Sequence, residues 1–165
     1  MSSSQLLNHQ FHQAKQSINS PTLVFIHGLF GDMNNLGVIA RAFSDNYNIL
    51  RVDLRNHGHS FHSETMNYYV MADDVWQLID HLQLDKVILI GHSMGGKTAM
   101  KMTALQPQRV EKLVVIDIAP VANSSAGHDD VFRGLFAVKK AQPQTRQQAK
   151  PILETEIADP SVVQF

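Results

Sequence analysis

The chain has 165 residues, 44% of them hydrophobic, and a formal net charge of −1; that is enough apolar material for one packed core and too little charge of either sign to recruit nucleic acid or an acidic membrane surface. No apolar run approaches a membrane span, and the first residues lack the basic and apolar regions of a secretory signal, so the expected setting is the cytoplasm. The absence of cysteine excludes disulfides, thiolate metal sites and a cysteine nucleophile.

Residues 6–13 alternate weakly, as an edge strand would. Thr22–Ile26 is continuously apolar, the pattern of a strand buried on both faces, and it runs into His27-Gly28-Leu29-Phe30-Gly31. Leu36, Ile39, Ala40 and Phe43 then recur at helical spacing. Asn48–Val52 reads as the next strand and is followed by a loop rich in His, Gly and Ser. Met71, Val75, Leu78, Ile79 and Leu82 form a second helical stripe, with Asn67 placed to cap it. Residues 87–90 make another apolar strand, and the helix after it should stop before Pro107. Residues 112–116 predict one more buried strand. This alternation implies parallel strands joined by helical crossovers: an α/β protein with a doubly wound, mostly parallel sheet. Past Pro120 the texture changes. Residues 128–165 hold no strand pattern, only polar helical stretches at 129–141 and 145–156. The predicted division is a core over 1–121 and a helical cap or lid insertion over 122–165.

The most informative segment joins the strand at 87–90 to its helix: Gly91-His92-Ser93-Met94-Gly95-Gly96. A serine between glycines at a strand-to-helix junction is the pattern of a nucleophile elbow, a turn so tight that the serine is strained and its hydroxyl is pushed outward. Gly91 and Gly95 have no Cβ, so neighbouring backbone can pass close. The helix that starts there aims N–H groups at developing negative charge. The plainer alternative for Ser93 is a buried serine in a tight turn.

Four segments together carry a family resemblance: the run from His27 to Gly31, Asp53-Leu54-Arg55-Asn56-His57-Gly58-His59-Ser60, the elbow, and Val115-Ile116-Asp117-Ile118-Ala119-Pro120. In this order, each at the end of a predicted strand, they make the chain resemble the α/β-hydrolase superfamily, and within it the small bacterial esterases of the YbfF type. The resemblance implies an α/β-hydrolase fold and a Ser-Asp-His triad. Ser93 is then the nucleophile, forming an acyl-enzyme. The backbone N–H groups of Leu29 and Met94 form the oxyanion hole, the alternative for His27-Gly28 being an ordinary turn after a strand. Asp117 is the acid, at the end of a buried strand where an unpaired carboxylate would be costly; its alternative is a turn cap. His27, Gly28, Gly91, Gly95 and Gly96 are structural, and Asp53, Arg55 and Gly58 brace the region under the nucleophile. His92 is read as packing.

His57, His59 and His62 do not have the spacing of metal ligands, and neither a metal nor an organic cofactor is implied. The triad order requires a histidine after Asp117. Only His128 follows it, at the start of the insertion, whereas relatives carry the base on a loop after their last strand. The base is therefore expected beyond residue 165, in a longer hydrolase of which this is an N-terminal part, and the 165-residue chain alone should be nearly inactive. Without further strands, residues 113–116 would be a sheet edge seeking a missing C-terminal segment or a second copy.

The expected activity is hydrolysis of a small acyl ester or thioester, the substrate lying between the elbow and the insertion. Lys97, Arg133, Lys139 and Lys140 are candidate contacts for an anionic leaving group such as coenzyme A, or simply exposed helix charges. The competing expectations are C–C bond hydrolysis or perhydrolysis on the same fold, and a non-catalytic ligand-binding protein that retains the elbow. Acyl length is not readable; the insertion's aromatics are only Phe132, Phe136 and Phe165.

Overall fold

A computed structural model describes residues 5–15, 20–122 and 129–164. His128 and Phe165 lie outside the described residues. The chain divides into two compact units, Met1–Pro120 and Val121–Phe165.

The first unit is built on a five-stranded sheet in the order β1-β3-β2-β4-β5. These strands are β1 His9–His12, β2 Thr22–Ile26, β3 Asn48–Val52, β4 Val87–His92 and β5 Val110–Ile116. β1 pairs antiparallel with β3; every other pairing is parallel. The weakly alternating segment at 6–13 is thus an edge strand of four residues.

Period-two alternation assigns the two faces of the sheet. Val24 and Ile26 of β2, with Leu50, Val52, Val87 and Leu89, pack against α2 (Tyr68–His81) and α3 (Met94–Leu105). Leu23 and Phe25, with Ile49, Ile88 and Ile90, pack on the opposite face with Leu36 and Ala40, beside and within α1 (Gly37–Phe43). The connection after β2 therefore covers one face, while those after β3 and β4 cover the other. The crevice between the ends of β2 and β4 is a topological switch point, where open α/β sheets build their sites.

The caps follow the sequence closely. The Asn67 side chain accepts from the Tyr69 and Val70 N–H groups, both at 3.0 Å, starting α2. α3 ends at Leu105, and Pro107–Arg109 forms a 3-10 turn into β5. Two apolar patterns turn out less buried than expected. Ile39 and Phe43 of the α1 stripe remain exposed, since only Gly37 and Ala40 of that short helix reach the core. β5, whose apolar run reads as a buried strand, is the sheet edge expected of residues 113–116 where no further strand follows. Among the described residues it pairs with β4 alone, and Leu113 and Val114 are 37% and 45% exposed.

The second unit holds α4 (Asp129–Ala141), α5 (Arg146–Glu156) and α6 (Pro160–Gln164). Thr145 caps α5, its hydroxyl accepting from the Gln148 N–H at 3.3 Å. Gly134 lets α4 approach Leu153 and Ile157: a Cβ there would meet them at 3.1–3.3 Å. The short α6 begins at Pro160, a residue suited to a first helical turn, and has too few residues to show a periodic stripe. No helix of the described residues is long and apolar enough to cross a membrane.

Candidate active site

The elbow is built by close packing of backbone. A Cβ on Gly95 would overlap the carbonyl oxygens of Ile26 and His27, so the first turn of α3 lies directly on the end of β2. A Cβ on Gly91 would overlap the Gly95 carbonyl. Between these contacts Ser93 takes φ 51° and ψ −117°, outside the regions L-residues favour, and is only half-buried. Its N–H donates to Ile116 O at 3.0 Å, tying the turn to the last residue of β5.

The end of β2 lies alongside. Built on Gly28, a Cβ would stand 3.4 Å from Ser93 Cβ and 3.1 Å from His92 Nδ1, so the His27–Gly28 backbone skirts the serine. Gly28 O accepts from the Gly31 N–H at 3.1 Å, turning the chain sharply after the strand. Phe30, inside that turn, has φ 62°. Met94 opens α3, and its N–H is one of the helix-terminal amides without an intrahelical acceptor.

Asp117 follows β5 with φ 54°. Its side chain is 87% exposed in this chain, in which β5 pairs with β4 alone among the described residues. Because β5 is an edge, the residue that ends it opens toward solvent. His92 stands beside it, Nε2 lying 4.0 Å from Oδ2. The packing role expected for His92 is therefore incomplete: the ring is half-exposed and joins Gly28 on one side to Asp117 on the other. Its place directly before the serine, at the last paired rung of β4, is the signal that would have revealed this contact.

The segment from Asp53 to Ser60, which follows β3, ties distant stretches of the chain together. The Asp53 carboxylate accepts from Met33 N–H (2.7 Å), Asn8 Nδ2 (2.7 Å) and His59 N–H (2.9 Å), linking three stretches of chain. Burial alone would raise its pKa; the hydrogen bonds from His59, Asn8 and Met33, with the nearby His27, outweigh it and hold the carboxyl below its usual range. Gly58 has φ 52°, and a Cβ there would overlap the Asp53 carboxyl. Arg55 grips Asp74 with two nitrogens at 2.5 and 2.7 Å and reaches Thr65 O at 2.7 Å. The three loop histidines do not converge. His57 is buried with Nδ1 2.9 Å from Arg55 O, whereas His59 and His62 are exposed. Among the described residues, no group of three or more His, Asp or Glu has the arrangement of a metal site.

His27 is 1% exposed. Its Nδ1 lies 2.7 Å from Gly28 O, and its Nε2 lies 3.0 Å from the Leu54 nitrogen. Burial holds its pKa below the ordinary histidine value, with His57 acting the same way and the Gly28 contact, Asp53 and Asp32 acting against them.

This geometry coincides with a family assignment. The model of the alpha/beta hydrolase fold matches residues 21–153. The chain belongs to the α/β-hydrolase family. It is 45% identical over 159 residues to Esterase YbfF of Escherichia coli, covering 96% of this chain and 63% of that protein. It is 72% identical over 160 residues to a Haemophilus influenzae protein whose name assigns it provisionally to the esterases and lipases, covering 97% of this chain and 56% of that one. A solved marine microorganism esterase superposes with a TM-score of 0.88 at 32% identity, covering 98% of this chain and 62% of that one. The chain thus spans a little over half of the length of these α/β-hydrolase relatives.

Proposed function

We propose that this chain carries the nucleophile, oxyanion hole and acid of a serine esterase or thioesterase acting on small acyl substrates. Ser93 Oγ attacks the acyl carbon while its proton passes to a histidine. The carbonyl oxygen, now negative, receives the N–H groups of Leu29 and Met94. Collapse expels the alcohol or thiol, which takes the proton back, and water then hydrolyses the acyl-enzyme by the same steps. Asp117 orients the histidine and stabilises its charged form. The base in this reading is a histidine outside the described residues.

One observation carries the reading: a half-buried serine with φ 51° sits so close to Gly28 that a Cβ built on that glycine would stand 3.4 Å from Ser93 Cβ. A strained, accessible serine beside a turn of backbone amides is poorly explained by packing alone. Two oxyanion donors of this kind are each worth about 10²–10³ in kcat. The names of the esterase relatives agree with the reaction class.

The test uses the full-length protein and a fluorophosphonate probe, followed by turnover of an ester and acyl-thioester panel. Labelling and turnover are both lost in Ser93→Ala if the reading is right. A wild-type protein that folds but neither labels nor turns over any member of the panel would leave a binding protein as the better description.

A further inference from the structure

The Gly28–Leu29 peptide is trans, like every peptide bond described. In a planar trans unit the C=O and the following N–H point in opposite directions. Fixing the Gly28 oxygen therefore fixes the direction of the Leu29 N–H. Two donors hold that oxygen, the Gly31 N–H at 3.1 Å and His27 Nδ1 at 2.7 Å. The Gly31 contact is local to the turn. The His27 contact anchors the turn to the core, because the other ring nitrogen is held by the N–H of Leu54, a fully buried residue two positions past β3.

The partners decide where the proton sits. A carbonyl only accepts, so Nδ1 carries hydrogen; a backbone N–H only donates, so Nε2 presents its lone pair to Leu54. The ring is neutral in this arrangement. A second proton, on Nε2, would set two N–H groups against each other in a site that is 1% exposed. The titratable groups that face the ring are His57, with ring centres 5.1 Å apart, Asp53 and Asp32.

We propose that His27 is the positioning residue of the oxyanion hole: as the neutral Nδ1–H tautomer it spans from Leu54 to Gly28 O and thereby aims the Leu29 N–H at the developing oxyanion. This rests on the reading of Leu29 as an oxyanion donor. His27 touches no reacting atom, and its effect passes through one peptide plane.

Two substitutions in the full-length protein separate the halves of the span. The amide nitrogen of His27→Asn occupies the place of Nδ1 and keeps the donor to Gly28. His27→Gln reaches Leu54 with its oxygen and gives up the Gly28 contact. Both break one buried hydrogen bond, so a merely structural role predicts similar losses in both. The proposal instead predicts that His27→Gln lowers kcat on a short-chain nitrophenyl ester by about 10- to 100-fold with KM nearly unchanged, while His27→Asn stays within about threefold of wild type at a comparable melting temperature. Equal loss of kcat in the two variants, or a change confined to KM, overturns it. Imidazole nitrogen NMR on the wild-type protein at pH 7 tests the tautomer directly and needs no variant to fold. The Nδ1–H tautomer is expected at His27; the Nε2–H tautomer or a doubly protonated ring overturns the proposal. Ser93→Ala is measured alongside: turnover surviving in that variant means the serine reading itself has failed, whatever His27 does.

Discussion

Ser93 and Asp117 leave neighbouring strands on the same rung. His92 pairs with Ile116 at the end of the β4–β5 ladder, the next residues are Ser93 and Asp117, and both adopt positive φ, 51° and 54°. The Ser93 N–H to Ile116 O bond of 3.0 Å fixes one turn against the other. Positive φ at a residue with a Cβ costs on the order of 1–3 kcal/mol. Substituting Ser93→Gly relieves that strain and deletes the nucleophile. The expected result is a melting temperature raised by a few degrees, about 2–4 °C per kcal/mol for a chain of this size, with complete loss of turnover. Asp117→Asn should keep the fold and lower kcat by on the order of 10³–10⁴. Wild-type kcat in Asp117→Asn would remove Asp117 from the mechanism.

The acid side of the stability profile follows from His27 and Asp53. His27 has its pKa lowered by burial, so below its ordinary value of 6.5 the unfolded chain binds the proton more readily than the folded one. Stability is therefore unaffected by this group above that pH and falls as pH drops from there toward the folded-state pKa, by up to about 1.4 kcal/mol per pH unit. Asp53, also lowered, has the same sign with its window starting lower, below 3.8. Urea midpoints of the wild type should decline as pH falls below 6.5, and the decline from 6.5 to 5 should be smaller in His27→Asn. Flat midpoints across that interval would contradict a buried neutral His27.

The Arg55–Asp74 pair has side chains only 11% and 8% exposed. Removing one partner leaves a poorly solvated charge, which costs about 3–5 kcal/mol. Arg55→Ala should be the most destabilising substitution in the segment from Asp53 to Ser60. The double variant Arg55→Met with Asp74→Leu should recover much of the loss, because no charge is stranded. Additive losses in the double variant, measured by chemical denaturation, would show that the pair does not act through burial.

The parts of this molecule readable from its sequence are those where one local force dominates. Thr22–Ile26 is buried on both faces and reads as such; Asn67 reads as a cap because its side-chain oxygen accepts from the N–H groups two and three residues on, a contact set by local spacing alone; the elbow reads from the glycines that close approach demands. What escaped depends on neighbours far along the chain. Ile39 and Phe43 have the same apolar spacing as a buried stripe, yet α1 is too short to turn them all inward. Asp117 looks buried from the apolar run before it, but burial of β5 requires a neighbour on its far side. The span from His27 to Leu54 crosses 27 positions, and no residue pattern announces it.

β5 offers the last test. Among the described residues its one paired neighbour is β4, and Leu113 and Val114 stand 37% and 45% exposed beside its open backbone edge. An uncovered edge with apolar side chains exchanges its outward amides readily and attracts another strand. In the 165-residue chain at low concentration, amides of Val110–Ile116 should exchange much faster than those of Thr22–Ile26 and Val87–His92, which are paired on both sides. Protection that grows with concentration, and disappears in Val114→Lys, would identify a second copy of the chain on the edge, because lysine on an exposed strand discourages edge-to-edge pairing. Protection equal to that of β2 at every concentration would mean that β5 is not an edge at all, and that the exposure of Asp117 at its end must be explained in another way.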